Sequence, residues 1–225
     1  MSWDNITEQQ NPASSHIDEK TTSEILRIMN REDIGVPLAV KDSLHSIEAF
    51  IDALFPRFRG GGRLFYVGCG TSGRLGVLDA AECPPTFRTD PNMVQGIIAG
   101  GYDALVRSIE GAEDCPKDGA KAIIEHNITS EDIVLGITAS SSTPFVLGAL
   151  EQAKKTAALT GLIICNKPPQ LDYVDHLISI VVGPEVITGS TRMKAATATK
   201  LILNMAVLKY VPNYLLVKVV GQRFG

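Results

Sequence analysis

The sequence predicts an α/β fold, a doubly wound, five-stranded parallel sheet with helices on both faces and further helices before it. Five short segments are apolar on both faces, which is typical of buried parallel strands. Amphipathic stretches with helical spacing separate these segments, and strands alternating with helices indicate βαβ units. This order is that of a three-layer, flavodoxin-like domain, in which ligands bind beyond the carboxyl ends of the strands.

The first 58 residues precede the predicted sheet. Residues 1–20 are polar and predict an extended arm, whereas apolar residues recur at helical spacing over residues 22–58. Gly35 and Pro37 interrupt that region, so we expect two helices that are separated near these positions. Three glycines at 60–62 end the helical region.

The sheet region begins after these glycines. The predicted strands cover residues 64–67, 94–99, 133–139, 162–165 and 177–182. The predicted helices cover residues 72–81, 103–110, 117–126 and 143–158. Because parallel strands of such a sheet end at one edge, the loops that follow them are the candidate site. These loops are residues 68–73, 100–101, 140–143 and 183–192.

Composition argues against several classes of protein. Lys and Arg number 21 against 25 Asp and Glu, and this net charge of −4 argues against nucleic-acid binding over the whole surface. No stretch reaches the roughly 20 apolar residues that span a bilayer, and the polar N-terminus does not resemble a secretory signal. The four cysteines and four histidines show no metal-ligand spacing. We therefore expect a cytoplasmic protein with reduced thiols, no metal and no membrane partner.

The first loop, Gly68-Cys69-Gly70-Thr71-Ser72-Gly73, leaves three interpretations open. It matches G-x-G-x-x-G after a strand, as in nicotinamide sites, but no acidic residue follows at the end of the second strand. Thr71 and Ser72 instead place two hydroxyls beside free N–H groups at a helix N-terminus, which suits a phosphate monoester. In the third interpretation Ser72 is only a helix cap.

A second hydroxyl-rich loop follows the third predicted strand. It consists of Ser140, Ser141, Ser142 and Thr143, and Pro144 follows at a position where a first helical turn accepts proline. Two such loops at one sheet edge indicate a phosphate-binding site. No Lys of a G-K-[ST] motif is present, so a sugar phosphate is a better candidate than a nucleoside triphosphate.

Glu82 is the candidate general acid. We expect the helix that starts at Ser72 to end at Pro84, which would place Glu82 at the negative end of the helix dipole. Asp79 lies three residues earlier on the same side. Both effects disfavour ionisation and would raise the pKa of Glu82, as a general acid requires. The alternative is a surface glutamate without a catalytic role.

The fourth loop contains further candidate residues. Glu185 lies near its start, and Ser190 or Thr191 is expected to cap a long helix that runs to about residue 209. Arg192 and Lys194 have the charge to bind an anion, or they form a solvated first turn. Cys83, next to Glu82, is expected to be a buried or spectator thiol.

The string GTSGRLG at residues 70–76, followed by ECPPTF at 82–87, resembles the N-acetylmuramic acid 6-phosphate etherases. These enzymes are built on the sugar-isomerase (SIS) domain, and the mammalian glucokinase regulatory protein is a relative. The resemblance covers roughly residues 7–205, including residues 96–101 and 183–192. It implies a cytoplasmic lyase of peptidoglycan recycling and amino sugar catabolism that works without a cofactor.

The resemblance also implies residue roles. Glu82 and Glu113 match the two catalytic carboxylates of the family, although composition alone marks Glu113 as part of a solvated acidic turn. Ser72 and the loop 140–143 match the phosphosugar contacts, next to Gly70 and Thr71. The implied reaction converts N-acetylmuramic acid 6-phosphate into N-acetylglucosamine 6-phosphate and D-lactate, in a homodimer. The alternative is a non-catalytic phosphosugar-binding regulator of the glucokinase-regulatory-protein type.

The sequence departs from the family in two places. The family usually shows Ala-Ser-Gly-Arg-Thr-Pro, whereas this chain has Ser141 and Ser142 in place of the glycine and the arginine. The resemblance also stops after residue 205. We therefore expect an N-terminal arm with helices over 1–58, an SIS domain over 59–210, and a divergent, truncated C-terminus over 206–225.

Overall fold

The computed structural model describes residues 5–207, and it confirms the predicted five-stranded parallel sheet. The strands are β1 (Leu64–Gly68), β2 (Val94–Ile98), β3 (Ile133–Ile137), β4 (Leu159–Ile164) and β5 (His176–Ser179). Their order is β2-β1-β3-β4-β5, and every neighbouring pair is parallel. This is the flavodoxin-like order, whose switch point lies between β1 and β3. The predicted C-terminal segment 206–225 lies almost wholly outside the described residues.

Helices cover both faces of the sheet. They are α1 (Thr22–Asp42), α2 (Leu44–Arg59), α3 (Gly70–Phe87), α4 (Pro116–Glu125), α5 (Pro144–Lys155) and α6 (Lys194–Ala206). One core lies between the sheet and α1, α2, α3 and α6, and it includes Phe50, Leu135 and Ile202. The other lies between the sheet and α4 and α5, and it includes Phe65 and Leu150. The α3 and α5 helices therefore leave the sheet toward opposite faces.

The prediction that the N-terminal helices separate near Gly35 and Pro37 is wrong. The α1 helix runs through both residues, and the chain breaks at Ser43 instead. Proline removes only the N–H that would donate to the carbonyl of Asp33. Because Asp33 and Pro37 are both exposed, water satisfies that carbonyl and the helix continues.

Two other predicted helices have different bounds. The α3 helix continues through Pro84 and Pro85 to Phe87 rather than ending at residue 81. The helix predicted over 103–110 is only a 3-10 turn, Tyr102–Leu105. Arg74 explains the second difference, because its guanidinium donates to the carbonyls of Leu105 and Arg107, at 3.1 and 2.8 Å. A helix over residues 103–110 would need the Leu105 carbonyl to accept the hydrogen bond from the N–H of Ile109.

The N-terminal arm lies against the carboxyl edge of the sheet. It forms three 3-10 turns, Ile6–Glu8, Pro12–Ser14 and Ile17–Glu19, rather than the extended segment that was predicted. The N–H of Ile6 donates to Asn166 Oδ1 at 3.2 Å, and the N–H of Gly189 donates to the carbonyl of Thr7 at 3.2 Å. Thr7 is fully buried. The arm is therefore a fixed wall of this edge.

No helix among the described residues is long and apolar enough to cross a membrane.

Asp132 holds the amino edge of the sheet together. Its carboxylate accepts hydrogen bonds from the N–H and guanidinium of Arg63, at 2.7 to 3.0 Å, and from the N–H of Thr129 at 2.9 Å. The Asp132 side chain is 3% exposed. Burial raises the pKa of Asp132, but the hydrogen bonds from Arg63 and Thr129 outweigh that effect and the net shift is downward. The ionised carboxylate therefore stabilises the fold.

Asp132→Asn is expected to lower the free energy of unfolding at pH 7 by about 2–3 kcal/mol, because it leaves Arg63 without its buried partner. The folded-state pKa lies below the ordinary value of about 3.9, so this stabilisation is present above pH 4 and is lost as the pH falls through the folded-state pKa. Denaturant unfolding at pH 7 and at pH 3 measures the difference. The exposed neighbour Glu131, changed to Gln, is the control, and an equal effect of both substitutions would contradict the assignment.

Candidate functional site

The end of β1 and the start of α3 lie in direct contact. A Cβ atom on Gly68 would lie 2.6 Å from the N atom of Gly73, and one on Gly73 would lie 2.7 Å from the carbonyl oxygen of Gly68. Gly70 adopts a φ of +49°, in the left-handed region that favours glycine. The glycines thus allow the strand to turn directly into the helix, with the first N–H groups of α3 at the sheet edge.

Thr71 and Ser72 lie in the first turn of α3, and the N-cap residue is Cys69. The interpretation of Ser72 as a cap is therefore wrong. Neither hydroxyl makes a hydrogen bond within residues 5–207, so both stay available to a ligand. Both residues line a cavity of about 510 Å³, which we call the edge cavity.

The loop after β3 forms the opposite wall of the edge cavity. Ser140, Ser142 and Thr143 line it, and Ser141 lies between them. Thr143 is the N-cap residue of α5, Pro144 occupies the first position of that helix, and Thr143 Oγ1 lies 2.6 Å from Thr138 Oγ1. The structure therefore brings both hydroxyl-rich loops to one cavity, as the sequence predicts.

Glu113 lies on the wall of the same cavity, together with Asp114. Its backbone carbonyl accepts a hydrogen bond of 3.0 Å from the N–H of Phe145, in the first turn of α5. Burial, with a smaller contribution from the charges of Glu113 and Asp114, raises the pKa of the Cys69 thiol to about 12. The acidic turn is thus held over the site by a backbone contact that composition did not indicate.

Asn5 and Glu8 also line the edge cavity, although no motif in the sequence marks them as site residues. They belong to the N-terminal arm, which shows no hydrophobic periodicity. Asn166 holds this part of the arm, because its side-chain amide donates to Asn5 Oδ1 and to the carbonyl of Ser140. One amide therefore joins the arm to the loop after β3.

Glu82 lies apart from this cavity. It is exposed, and it lies inside α3 rather than at the end of the helix. It lines neither the edge cavity nor a second cavity of about 380 Å³ beside it. Asp79 is buried, and it accepts hydrogen bonds of 3.0 Å from Tyr66 Oη and Lys200 Nζ. The two expected features of the Glu82 environment, a helix end and an unpaired Asp79, are both wrong. The helix continues past Glu82, and Lys200 pairs with Asp79.

Glu185 and Lys194 form a structural cluster rather than an anion site. Glu185 is fully buried and accepts hydrogen bonds of 2.9 Å from the N–H groups of Lys194 and Ala195, so it caps α6. Desolvation raises the pKa of Glu185, and these hydrogen bonds partly offset that shift. Lys194 Nζ is 2.7 Å from Glu32 Oε2. Of the two alternatives that the sequence leaves open for Lys194, an anion contact and a solvated first turn, the second does not hold, because the side chain is buried against Glu32.

The structure places the other candidate residues of the fourth loop at different sites. Ser190 and Thr191 do not cap α6, which begins at Lys194 with Met193 as its N-cap residue. Thr191 lines the edge cavity, whereas Arg192 lines a different depression beside Ile17 of the arm. The capping prediction fails because Glu185, earlier in the same loop, supplies the cap.

Cys83 is buried, and burial raises the pKa of its thiol to about 11, so it remains protonated at neutral pH. Within residues 5–207 no group of three or more His, Cys, Asp and Glu side chains is arranged to hold a metal ion.

Comparisons with known proteins identify the family. The family model of the glucokinase regulatory protein N-terminal SIS domain matches residues 46–154. The chain is 54% identical over 204 residues to an N-acetylmuramic acid 6-phosphate etherase of Salinibacter ruber, a match of 90% of this chain and 66% of the relative. It is 49% identical over 200 residues to the enzyme of that name from Geobacillus sp., covering 88% of this chain and 68% of the relative.

The chain belongs to the N-acetylmuramic acid 6-phosphate etherase family. It spans about two thirds of the length of these etherase relatives. Solved structures agree on the fold of this etherase-family chain. A phosphosugar isomerase of Bacteroides fragilis superposes with a TM-score of 0.60 at 16% identity, over 88% of this chain and 91% of that one. Phosphoheptose isomerase of Neisseria gonorrhoeae gives 0.56 at 15% identity, over 83% and 96%.

One departure from the usual etherase sequence introduces backbone strain. Ser141, which stands where the family usually has glycine, adopts a φ of +70°. This left-handed conformation costs a non-glycine residue about 1–2 kcal/mol. The backbone of the loop thus keeps a conformation that favours glycine, although the side chain has changed.

Ser141→Gly is expected to raise the free energy of unfolding by about 0.5–1 kcal/mol, because it removes the strain and adds less than that in unfolded-state entropy. Ser142→Gly, next to it, is the matched control. The φ of Ser142 is not positive, so glycine there should lower stability by up to about 1 kcal/mol. Chemical denaturation of both variants measures the difference, and a shift of the same sign in both would contradict the strain at Ser141.

Proposed function

We propose that the protein is a lyase that cleaves the D-lactyl ether of N-acetylmuramic acid 6-phosphate. The products are N-acetylglucosamine 6-phosphate and D-lactate, and the reaction takes up one water molecule. The observation that carries the proposal is the edge cavity, in which the N-termini of α3 and α5 meet beside Glu113. Membership of the etherase family supports it independently.

The phosphate is bound by neutral groups. The hydroxyls of Thr71, Ser72, Ser140 and Thr143 line the edge cavity, and the first turns of two helices contribute N–H groups and the positive ends of their dipoles. This arrangement suits a sugar phosphate, whose dianion accepts several hydrogen bonds at once.

The chemistry requires one base and one acid. When the sugar ring opens, the C2 proton lies α to the C1 aldehyde and becomes removable. Glu113 takes this proton, the C3–O bond breaks, and Glu82 donates a proton to the departing lactate oxygen. Glu82 then accepts a proton from water as the water adds at C3 of the unsaturated aldehyde, and C2 is reprotonated. No metal or organic cofactor takes part in these steps.

Glu82 comes from the second subunit of a homodimer. In one chain it lies apart from the cavity that Glu113 lines. Leu78 is 47% exposed and lies one turn before Glu82 on the same side of α3. The separation of Glu82 from the cavity that Glu113 lines supports a site that a second chain completes. The unpaired cysteines, three of which are buried, support a reducing, cytoplasmic location.

Glu113→Gln is expected to lower D-lactate release by about 10²–10⁴-fold and to stop exchange of the C2 proton with solvent deuterium, because the base is lost. Glu82→Gln should also stop lactate release but leave phosphosugar binding intact. A D-lactate assay and proton NMR measure these results. The control is Glu125→Gln, an exposed carboxylate on α4, which should have full activity.

Mixing the Glu82→Gln and Glu113→Gln proteins tests the shared site. If each site takes one glutamate from each subunit, mixed dimers contain one intact site, and about a quarter of the wild-type activity returns. If both glutamates act within one chain, no activity returns and the shared site is wrong. Unchanged turnover in either single variant would contradict the catalytic roles.

The second candidate function is a phosphosugar-binding regulator without turnover. One observation favours it, namely that Ser142 lines the edge cavity where the family usually has arginine. Phosphosugar binding without any lactate release from the wild-type protein would support the regulator and exclude the lyase.

A further inference from the structure

The edge cavity has no cationic side chain for a second anion. Its lining within residues 5–207 contains no Lys, Arg or His, but it contains the carboxylates of Glu8, Glu113 and Asp114. The proposed substrate has a phosphate at C6 and a carboxylate on its lactyl group. The hydroxyls and helix N-termini suit the phosphate, whereas the three carboxylates would repel the lactyl carboxylate. That second anion therefore needs a separate partner.

A second cavity of about 380 Å³ adjoins the edge cavity, and we call it the arginine cavity. The two share Cys69, Gly70 and Glu113 as lining residues. Arg74 and Arg107 both line the arginine cavity. Glu113 lies on the boundary between the two cavities. A sugar that has its phosphate in the edge cavity and its C2 next to Glu113 has its C3 substituent close to the arginine cavity. The lactyl group is that substituent.

Arg74 and Arg107 have different roles in this cavity. Arg74 is held by the carbonyls of Leu105 and Arg107, so its guanidinium fixes the loop after β2. The Arg107 side chain is exposed, and among residues 5–207 it makes no hydrogen bond or ion pair. It is therefore a free guanidinium on a loop that is held in place.

Carboxylates also line the arginine cavity, at Glu110 and Glu113. The two arginines balance these charges, so the cavity does not attract anions by a net positive charge. Arginine instead recognises a carboxylate by two parallel N–H···O hydrogen bonds, which depend on geometry. A bound ligand carboxylate would therefore be oriented as well as neutralised.

We propose that Arg107 binds the carboxylate of the substrate's lactyl group and that Arg74 is the residue that positions it. This inference rests on the proposed substrate, but it concerns binding and does not require turnover. It makes Arg107 the residue that distinguishes a lactyl-bearing phosphosugar from one with a free C3 hydroxyl.

The test is calorimetric titration with N-acetylmuramic acid 6-phosphate and with N-acetylglucosamine 6-phosphate, in the Glu82→Gln background. Arg107→Gln is expected to weaken binding of the lactyl-bearing sugar by about 10- to 100-fold, the range for a lost hydrogen bond to a charged group. Binding of N-acetylglucosamine 6-phosphate should stay within about twofold, because that sugar has no lactyl carboxylate. Arg107→Lys should show an intermediate loss, since it keeps the charge but not the paired hydrogen bonds.

Arg59→Gln is the matched control. It makes the same change of charge at an exposed arginine at the end of α2, before β1 begins, and it should alter neither affinity. An equal loss for both sugars, or no loss for either, would overturn the assignment of Arg107. A selective loss in the Glu82→Gln background, together with no D-lactate release from the wild-type protein, would support the lactyl subsite and exclude the lyase, so the two proposals fail separately.

Discussion

The parallel pairing of β1 with β3 is the constraint on which the rest of the structure depends. In this register Gly68 lies opposite Ile137, so both strands end side by side. The helices that follow, α3 and α5, leave toward opposite faces of the sheet, and their N-termini therefore meet at one edge. The close contact between Gly68 and Gly73 keeps the first turn of α3 at that edge. The proposed phosphate-binding site thus arises from topology rather than from net positive charge.

The walls of the edge cavity depend on a second set of contacts, all distant in sequence. The Glu32 carboxylate accepts hydrogen bonds of 2.7 Å from both Asn11 and Lys194, and so joins the N-terminal arm, α1 and α6. The buried Glu185 caps α6 from the preceding loop. Both carboxylates are hydrogen-bonded, as burial requires. They hold the arm and Thr191 against the cavity, while the hydroxyls of Thr71 and Ser72 have no hydrogen-bond partner among residues 5–207.

The sequence predicts the sheet and the two hydroxyl-rich loops because both depend on local features, namely strands that are apolar on both faces and glycines or hydroxyls directly after them. The prediction fails where a side chain outside the predicted element determines the local structure. Arg74 prevents the helix expected after β2, and Glu185 replaces the cap expected at Ser190. Pro37 does not end α1, because water can satisfy the exposed carbonyl of Asp33, and α3 likewise continues through Pro84 and Pro85. The arm residues Asn5 and Glu8 show no periodicity, so only the fold brings them to the site.

The central claim is that the edge cavity recognises a phosphate through hydroxyls and helix N-termini. Calorimetric titration with N-acetylglucosamine 6-phosphate and with unphosphorylated N-acetylglucosamine tests it directly. The account predicts that the phosphorylated sugar binds at least about 100-fold more tightly, a difference of about 2.7 kcal/mol. It also predicts that Ser72→Ala combined with Ser140→Ala removes most of this difference. Equal affinity of the wild-type protein for both sugars would contradict the account.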